Sequence, residues 1–323
     1  MQQLKLEQME ENTQIKVDSK QVVITENNAG QRIDNFLIRY FGKIPNSRIY
    51  QMLRKGEVRV NKRRTRQSYK LNVNDVVRIP PVYISEKQTF TPNQSIQKKI
   101  LNSIIFEDEG LIAINKPPGI VVHGGSKQSY GVIEIFRALN DDYRSLELVH
   151  RLDKDTSGCL ILAKGIPILR KLQEILRDRK SVKTYLALLS GSFTESEKII
   201  NKPLRKNIIR SGERVVTIDK NGKSASTIFY RKRLFSDATL VKIELLTGRT
   251  HQIRVHSASM GNFVIGDKKY GDKAVNLKFK KMGLSRMFLH SESLNFISPI
   301  TKKRTIIKAP MEKSLVNFLE KLD

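Results

Sequence analysis

The sequence predicts an α+β protein: a small, strongly basic amino-terminal module, then a larger domain on a mixed, mainly antiparallel β-sheet with flanking helices. Three observations predict it. Apolar residues recur at helical spacing only in short stretches. Strand-like runs are more numerous and do not alternate regularly with helices, which argues against a doubly wound parallel sheet. The positive charge is concentrated in one early segment: residues 31–80 carry thirteen Lys/Arg against three Asp/Glu, a net +10 in fifty residues.

The elements follow in order. Residues 1–20 read as a flexible polar lead-in. Val22–Thr25 is a strand, followed by the turn residues Asn27, Asn28 and Gly30. Ile33, Phe36, Leu37, Tyr40 and Phe41 form one stripe of a helix, interrupted by Pro45 and Asn46. A second helix starts near Ser47, with Ile49, Met52 and Leu53 as its stripe, and ends before Gly56. Glu57–Val60 alternates as a strand, residues 61–64 turn, and Val76–Ile79 closes the module before Pro80-Pro81. Residues 82–100, rich in Ser, Thr, Gln, Lys and Pro, read as a linker. Beyond it lie strands at Leu111–Asn115, Tyr185–Leu189, Thr239–Leu246 and Thr305–Ile307, and helices at Tyr130–Leu139 and Ile166–Arg179. The expected division is a lead-in at 1–20, a basic domain at 21–81, a linker at 82–100 and a large domain at 101–323.

Composition narrows the class. At 39% hydrophobic and 28% charged, the chain has an ordinary globular balance rather than a disordered one. Overall there are 59 Lys+Arg against 32 Asp+Glu, a formal +27, which points to a polyanion partner, most often nucleic acid. Cys159 is the single cysteine and lies in an apolar run, so it reads as a buried small hydrophobe; an internal disulfide and a Cys-based zinc site are excluded. No apolar run is long enough to span a bilayer, and no signal-peptide h-region is seen, so the expected location is the cytoplasm.

Two constellations carry candidate chemistry. The first is His150-Arg151-Leu152-Asp153-Lys154-Asp155-Thr156-Ser157-Gly158, a turn feeding the apolar run Cys159–Ala163. A loop at the mouth of a sheet is a common place for function, yet a charged surface turn with Asp155 capping backbone amides is an equal alternative. A metal site from His150, Asp153 and Asp155 lacks a second ligand cluster. A kinase loop would read His-Arg-Asp without the intervening Leu152, and no phosphate loop is present. Asp155-Thr156-Ser157-Gly158 matches an aspartic protease, but that chemistry needs a second carboxylate, no second copy exists, and charged Lys154 stands where an apolar residue is expected. The second constellation, Thr247-Gly248-Arg249-Thr250-His251-Gln252-Ile253-Arg254-Val255-His256, ends an apolar strand and turns toward a helix; its arginines suit a carboxylate or a phosphate. Lys183-Thr184-Tyr185 places an aromatic at a strand start.

Residues from about Arg32 to Ile79, including Arg54-Lys55-Gly56 and Val58 to Lys62, resemble the small S4-type RNA-binding domain. That resemblance implies RNA contacts from Arg32, Lys43, Ser47, Arg48, Arg54, Lys55, Asn61, Lys62 and Arg63. From about Ile104 to Pro310 the chain resembles the RluA-type family of ribosomal RNA pseudouridine synthases. Both constellations above, Asn115-Lys116-Pro117-Pro118-Gly119 and Gly266-Asp267-Lys268-Lys269-Tyr270-Gly271 stand as that family writes them. Ile79–Val82, His123–Ser126, Asn207-Ile208 and Ser211–Arg214 resemble its large-subunit members.

The resemblance implies a fold, a pseudouridine synthase domain behind an S4-type domain, and a reaction. Uracil detaches from ribose at N1, rotates and rejoins through C5. Nothing is oxidised and no group is imported, so neither cofactor nor metal is expected. One ionised carboxylate near the sugar suffices, because the uracil anion is a stabilised leaving group. By resemblance that carboxylate is Asp153, with Arg254 offsetting its desolvation. Tyr185 stacks on the base and assists late proton transfer. Arg151 enters the space vacated by the flipped uridine, and His150, Arg249 and His251 lie among the base-flipping and substrate residues. The implied partner is large-subunit (23S) ribosomal RNA or its assembly intermediate, met by a monomer without a membrane.

Overall fold

The computed structural model describes residues 14–42, 44–85, 92–124, 130–178, 181–208 and 214–322. The chain divides into two compact units, 1–91 and 92–323.

In the first unit, β1 (Gln14–Val17) pairs antiparallel with β6 (Val82–Ser85). Between them come β2 (Lys20–Val23), α1 (Ile33–Phe41), α2 (Asn46–Lys55), β3 (Arg59–Val60), β4 (Arg63–Arg64) and β5 (Val76–Ile79). The last three and β2 form a sheet in the order β2-β5-β3-β4. The helices form where the stripes predicted them. Ile33, Phe36, Leu37 and Phe41 of α1 and Ile49, Met52 and Leu53 of α2 bury against Val58, Val60, Val77 and Ile79. Tyr40 does not join them and is 38% exposed. Gly56 ends α2 at φ +70, in the left-handed region that a side chain resists.

Two segments differ from expectation. The polar lead-in contains β1, and the linker contains β6 and most of α3 (Gln94–Leu101). Composition misreads them for a physical reason. β1 and β6 are ordered by pairing with each other across the length of the module, a long-range contact. In α3, Ile96 and Ile100 stand one turn apart, and the Asn93 side chain accepts the amide of Ser95 at 2.9 Å as an N-cap.

The second unit holds β7 (Ile104–Glu107), β8 (Leu111–Lys116), α4 (Val132–Leu139), β9 (Leu146–Leu148), β10 (Ser157–Lys164), α5 (Ile166–Arg177), β11 (Val182–Ser190) and β12 (Glu197–Asn201). After these come β13 (Leu204–Ile208), β14 (Arg214–Ile218), β15 (Ser226–Leu234), β16 (Ala238–Leu245), α6 (Gln252–Ala258), α7 (Lys273–Lys281), β17 (Leu289–Ile297), β18 (Arg304–Lys308) and α8 (Lys313–Glu320). A large sheet runs β12-β15-β16-β11-β17-β10-β8-β7, with β18 beside β17 and β9 beside β10; β13 and β14 form a separate hairpin. Every pairing in the large sheet is antiparallel except β10 with β17, where Ser157 meets His290 and Gly158 meets Ser291.

β10 shows how the sheet is held. Leu160 and Leu162 share a core with Ile133 and Phe136 of α4, while Cys159, Ile161 and Ala163 share another with Leu172 and Leu176 of α5. Both faces are covered, so the strand is apolar throughout rather than alternating. Each buried leucine contributes about 1.5–3 kcal/mol relative to an exposed one. Gly158 has φ +107, and a Cβ there would lie 2.2 Å from the Ser291 carbonyl oxygen. The glycine is what lets β10 approach β17 at the point where the first constellation enters the sheet. No helix among the described residues is long and apolar enough to cross a membrane.

Candidate active site

Three elements converge at that parallel pairing. Asp153 stands in the loop between β9 and β10, Tyr185 on β11 and Arg254 on α6. Together with Arg151, Arg249 and His251 they line one small cavity of about 80 Å³. Arg254 Nη1 donates to Asp153 Oδ2 at 3.0 Å, across 101 residues of chain. The other side of the guanidinium makes a two-pronged pair with Asp267: Nε to Oδ2 at 2.7 Å and Nη2 to Oδ1 at 2.8 Å. Asp267 is 1% exposed and also accepts the amides of Lys269 and Tyr270 at 2.8 and 3.1 Å. Burial pushes the Asp267 carboxyl up, but the Arg254 guanidinium and those amides override it and hold it below its usual range. Burial likewise disfavours the Arg254 cation, and its two carboxylates more than compensate. Arg254 is therefore a fixed cation, braced on one side so that its free edge meets Asp153.

Asp153 is only half committed. Oδ2 is bound to Arg254, whereas Oδ1 lies 3.8 Å from His251 Nε2, beyond hydrogen-bond range. His251 caps α6 with φ 54 and places Nδ1 2.7 Å from the Tyr270 hydroxyl. That hydroxyl accepts the Val216 amide at 2.9 Å, so its own proton is available to His251 Nδ1. Burial pushes the His251 pKa down, the Asp153 charge opposing it, which favours a neutral ring with its remaining N–H toward Asp153. The Arg254 guanidinium also lies over the Tyr270 ring at 5.0 Å.

Tyr185 is 8% exposed, and the pairing of β11 with β17 shifts register between Thr184 and Tyr185. Such a bulge re-aims a side chain. Burial pushes the Tyr185 phenol up, so it is protonated at neutral pH. Arg151 is exposed, and its side chain has no partner among the described residues. Arg249 is anchored by Nε to the Ser224 carbonyl at 3.0 Å. The loop that presents Arg249 and His251 is held by Gln252, which accepts the Thr247 hydroxyl and the Arg249 amide and donates to Ser226 and Thr227.

Two expectations for the first constellation are corrected. His150 does not line the cavity. Its Nε2 accepts the Ile161 amide at 3.1 Å, and burial, with the Lys183 charge, pushes its pKa down to about 3. It is a neutral brace on β10 rather than a substrate contact, because a buried imidazole serves as an acceptor for a strand amide only when uncharged. Asp155 does not hold the loop through its side chain. That side chain is exposed, and the loop is tied instead by the Asp155 carbonyl, which accepts from Arg286 at 3.4 Å, and by Ser157, bound to Arg286 and His290. Among the described residues, no three His, Cys, Asp or Glu side chains gather as a metal site.

Sequence reading missed Lys116, Asp267, Tyr270 and Arg286 as individuals, although the first three stood inside quoted motifs. Lys116 is 0% exposed, and its Nζ donates to the carbonyls of Pro117, Ile120 and Lys154 at 2.8, 2.9 and 3.1 Å. It pins the loop that carries Asp153 to the turn after β8. Burial pulls its pKa down to about 7, while three carbonyls facing one nitrogen favour the ammonium form.

The expected RNA contacts of the first unit divide into two kinds. Ser47, Arg54, Lys55, Lys62 and Arg63 are exposed. Arg32 is paired with Asp34 at 2.6 Å and Arg48 with Glu57 at 2.8 Å. Asn61 is occupied in the turn, donating to Asp75 and accepting the Val76 amide. Lys43 lies outside the described residues, as do Gly125, Ser126 and residues 211–213.

Comparison with known proteins agrees with this arrangement. The RNA pseudouridylate synthase family matches residues 110–259, and the S4 domain matches residues 31–77. The chain is 47% identical over 302 residues to ribosomal large subunit pseudouridine synthase C of Pasteurella multocida, covering 93% of each chain. It is 46% identical over 307 residues to the protein of that name from Escherichia coli K12, covering 94% of this chain and 96% of the other. Among solved structures, Human RNA Pseudouridylate Synthase Domain Containing 4 superposes with a TM-score of 0.58 at 25% identity, over 71% of this chain and 95% of its own. With that identity along nearly its whole length, the chain belongs to the RluA family of RNA pseudouridine synthases and carries an S4 domain.

Proposed function

We infer that this protein isomerises specific uridines of 23S (large-subunit) ribosomal RNA to pseudouridine, with Asp153 as the catalytic carboxylate. The observation that carries the reading is the half-committed state of Asp153. One oxygen is fixed by a braced Arg254, and the other has no hydrogen bond among the described residues. Such a carboxylate keeps an oxygen for the sugar, to attack C1′ or to take the C2′ proton. The C1′–N1 bond then breaks, the uracil turns, and C5 bonds to C1′. C5 releases its proton and N1 takes one up, so the product is an isomer of the substrate. Tyr185 offers a ring for the base and a protonated phenol for the late proton movement. Arg151, exposed and unpaired among the described residues, fills the stack the uridine leaves. The exposed cations of the first unit supply phosphate contacts that carry no sequence information. One chain supplies Asp153, Tyr185 and Arg254, so a monomer suffices, and the reading places it in the cytoplasm with the ribosomal RNA or its assembly intermediate.

The test is pseudouridine mapping of a large-subunit RNA transcript incubated with the purified protein alone. Conversion is expected for the wild type and a loss of about 10⁴-fold or more for Asp153→Asn, the scale seen when a covalent or basic group is removed. Undiminished conversion by Asp153→Ala would sink the assignment. Full rescue of a deletion strain by Asp153→Asn would show that RNA binding in ribosome assembly, not isomerisation, is the task.

A further inference from the structure

Beside the Asp153 cavity lies a second one of about 370 Å³, between the β13–β14 hairpin and the loop before α6. The two share Gly248, Arg249 and Thr250, so one opens beside the other along the same loop. The buried residues Leu204 and Val216 contribute apolar surface to it. Four exposed cations surround it: Arg205, Lys206, Lys223 and Arg249. Among the described residues, no carboxylate lines it. Asp219 neutralises part of Arg205 at 3.3 Å, and Arg249 is positioned by its bond to Ser224. Lys206 and Lys223 have no ion pair among the described residues, and the side-chain amide of Asn221 in the same wall has no hydrogen bond among them. Its size is within the range of small-ligand sites. At Gly248, which lines both cavities, a Cβ would meet nothing within 4 Å.

We propose that this second cavity binds the nucleotide next to the target uridine, with its phosphodiester held by Lys206, Lys223 and Arg249 and its polar edge offered to Asn221. The proposal rests on the reading that the Asp153 cavity receives a flipped uridine. A strand whose base enters that cavity must leave it within one nucleotide. The neighbouring phosphate carries charge to a place lined by four cations, of which Asp219 neutralises part of one. The hairpin is also tied to the catalytic group: the Val216 amide reaches the Tyr270 hydroxyl, and that hydroxyl reaches His251 beside Asp153. The two cavities are thereby held at a fixed spacing, as a strand occupying both requires.

The experiment is steady-state conversion of a large-subunit RNA transcript by the full chain and by Lys206→Ala/Lys223→Ala, at several salt concentrations. A second double variant, Lys280→Ala/Lys281→Ala at the end of α7, removes the same charge from another exposed surface. The expected result is a KM raised about tenfold by the first variant with kcat within twofold of wild type. Its plot of log(kcat/KM) against log[salt] should be shallower by up to about 0.7, the value for one phosphate on a single strand. The α7 variant should keep the wild-type slope. An unchanged KM in the first variant, or an equal change in both, would overturn the subsite while leaving the catalytic reading in place. A wild type that forms no pseudouridine would overturn the reading beneath it.

Discussion

Replacing Asp267 by Asn probes the brace behind the Asp153–Arg254 pair. The substitution preserves shape. Oδ1 remains to accept Arg254 Nη2 and the amides of Lys269 and Tyr270, but the second oxygen, 2.7 Å from Arg254 Nε, becomes an NH₂. Two donors then face each other in a place where the carboxylate is 1% exposed. Removing one partner of a buried ion pair costs about 3–5 kcal/mol, and the retained hydrogen bonds put Asn near the lower end. For a domain of this size that is a loss on the order of 10 °C in melting temperature. Activity should suffer separately. Without its brace, Arg254 turns fully onto Asp153 and engages the oxygen that the sugar needs; displacement of a reacting group by about an ångström costs on the order of 10²-fold. Urea unfolding at neutral pH measures the first effect, and single-turnover release of tritium from C5-labelled RNA measures the second. Stability within 1 kcal/mol of wild type together with a rate within threefold would refute the brace.

Three further outcomes are expected. His150, with its pKa lowered from 6.5 to about 3, resists a proton that the unfolded chain accepts, so its contribution to stability is complete above pH 6.5 and is lost as the pH falls toward 3. Between pH 7 and pH 5 the loss is on the order of 2 kcal/mol, and His150→Gln should flatten that part of the urea-midpoint profile; an unchanged slope would count against the neutral brace. His251, His256 and His290, whose pKa values burial also lowers, act in the same direction. Gly158→Ala should destabilise the second unit by several kcal/mol, because its Cβ would lie 2.2 Å from the Ser291 oxygen in a left-handed backbone; wild-type melting would contradict that contact. Removal of residues 1–91 should weaken RNA binding and reduce its salt dependence while the remaining unit, with its own apolar cores, still unfolds cooperatively; unchanged affinity in a filter-binding titration would show that the basic module is not the anchor.

What the sequence by itself determined was local or additive. The stripes of α1 and α2, the apolar run of β10, the turn at Gly56 and the sum of charge in residues 31–80 depend on near neighbours along the chain and were legible from it. The loop that carries Asp153 could be located, but its residues could not be sorted from the pattern alone. His150 and His251, Asp153 and Asp155 are chemically alike pairs, and nothing in their spacing says which faces solvent, which a strand amide and which the cavity. That was decided by tertiary structure. The single parallel pairing of β10 with β17 sets where the loop enters the sheet, and the bulge at Tyr185 is part of a register between strands far apart in sequence. Arg254 meets Asp153 across 101 residues, and Asp267 completes the brace only because both are withdrawn from water. The polar segments holding β1, β6 and α3 were misread for the same reason. Periodicity reports on a few residues at a time, whereas strand pairing and desolvation are set by groups that the chain brings together only when folded.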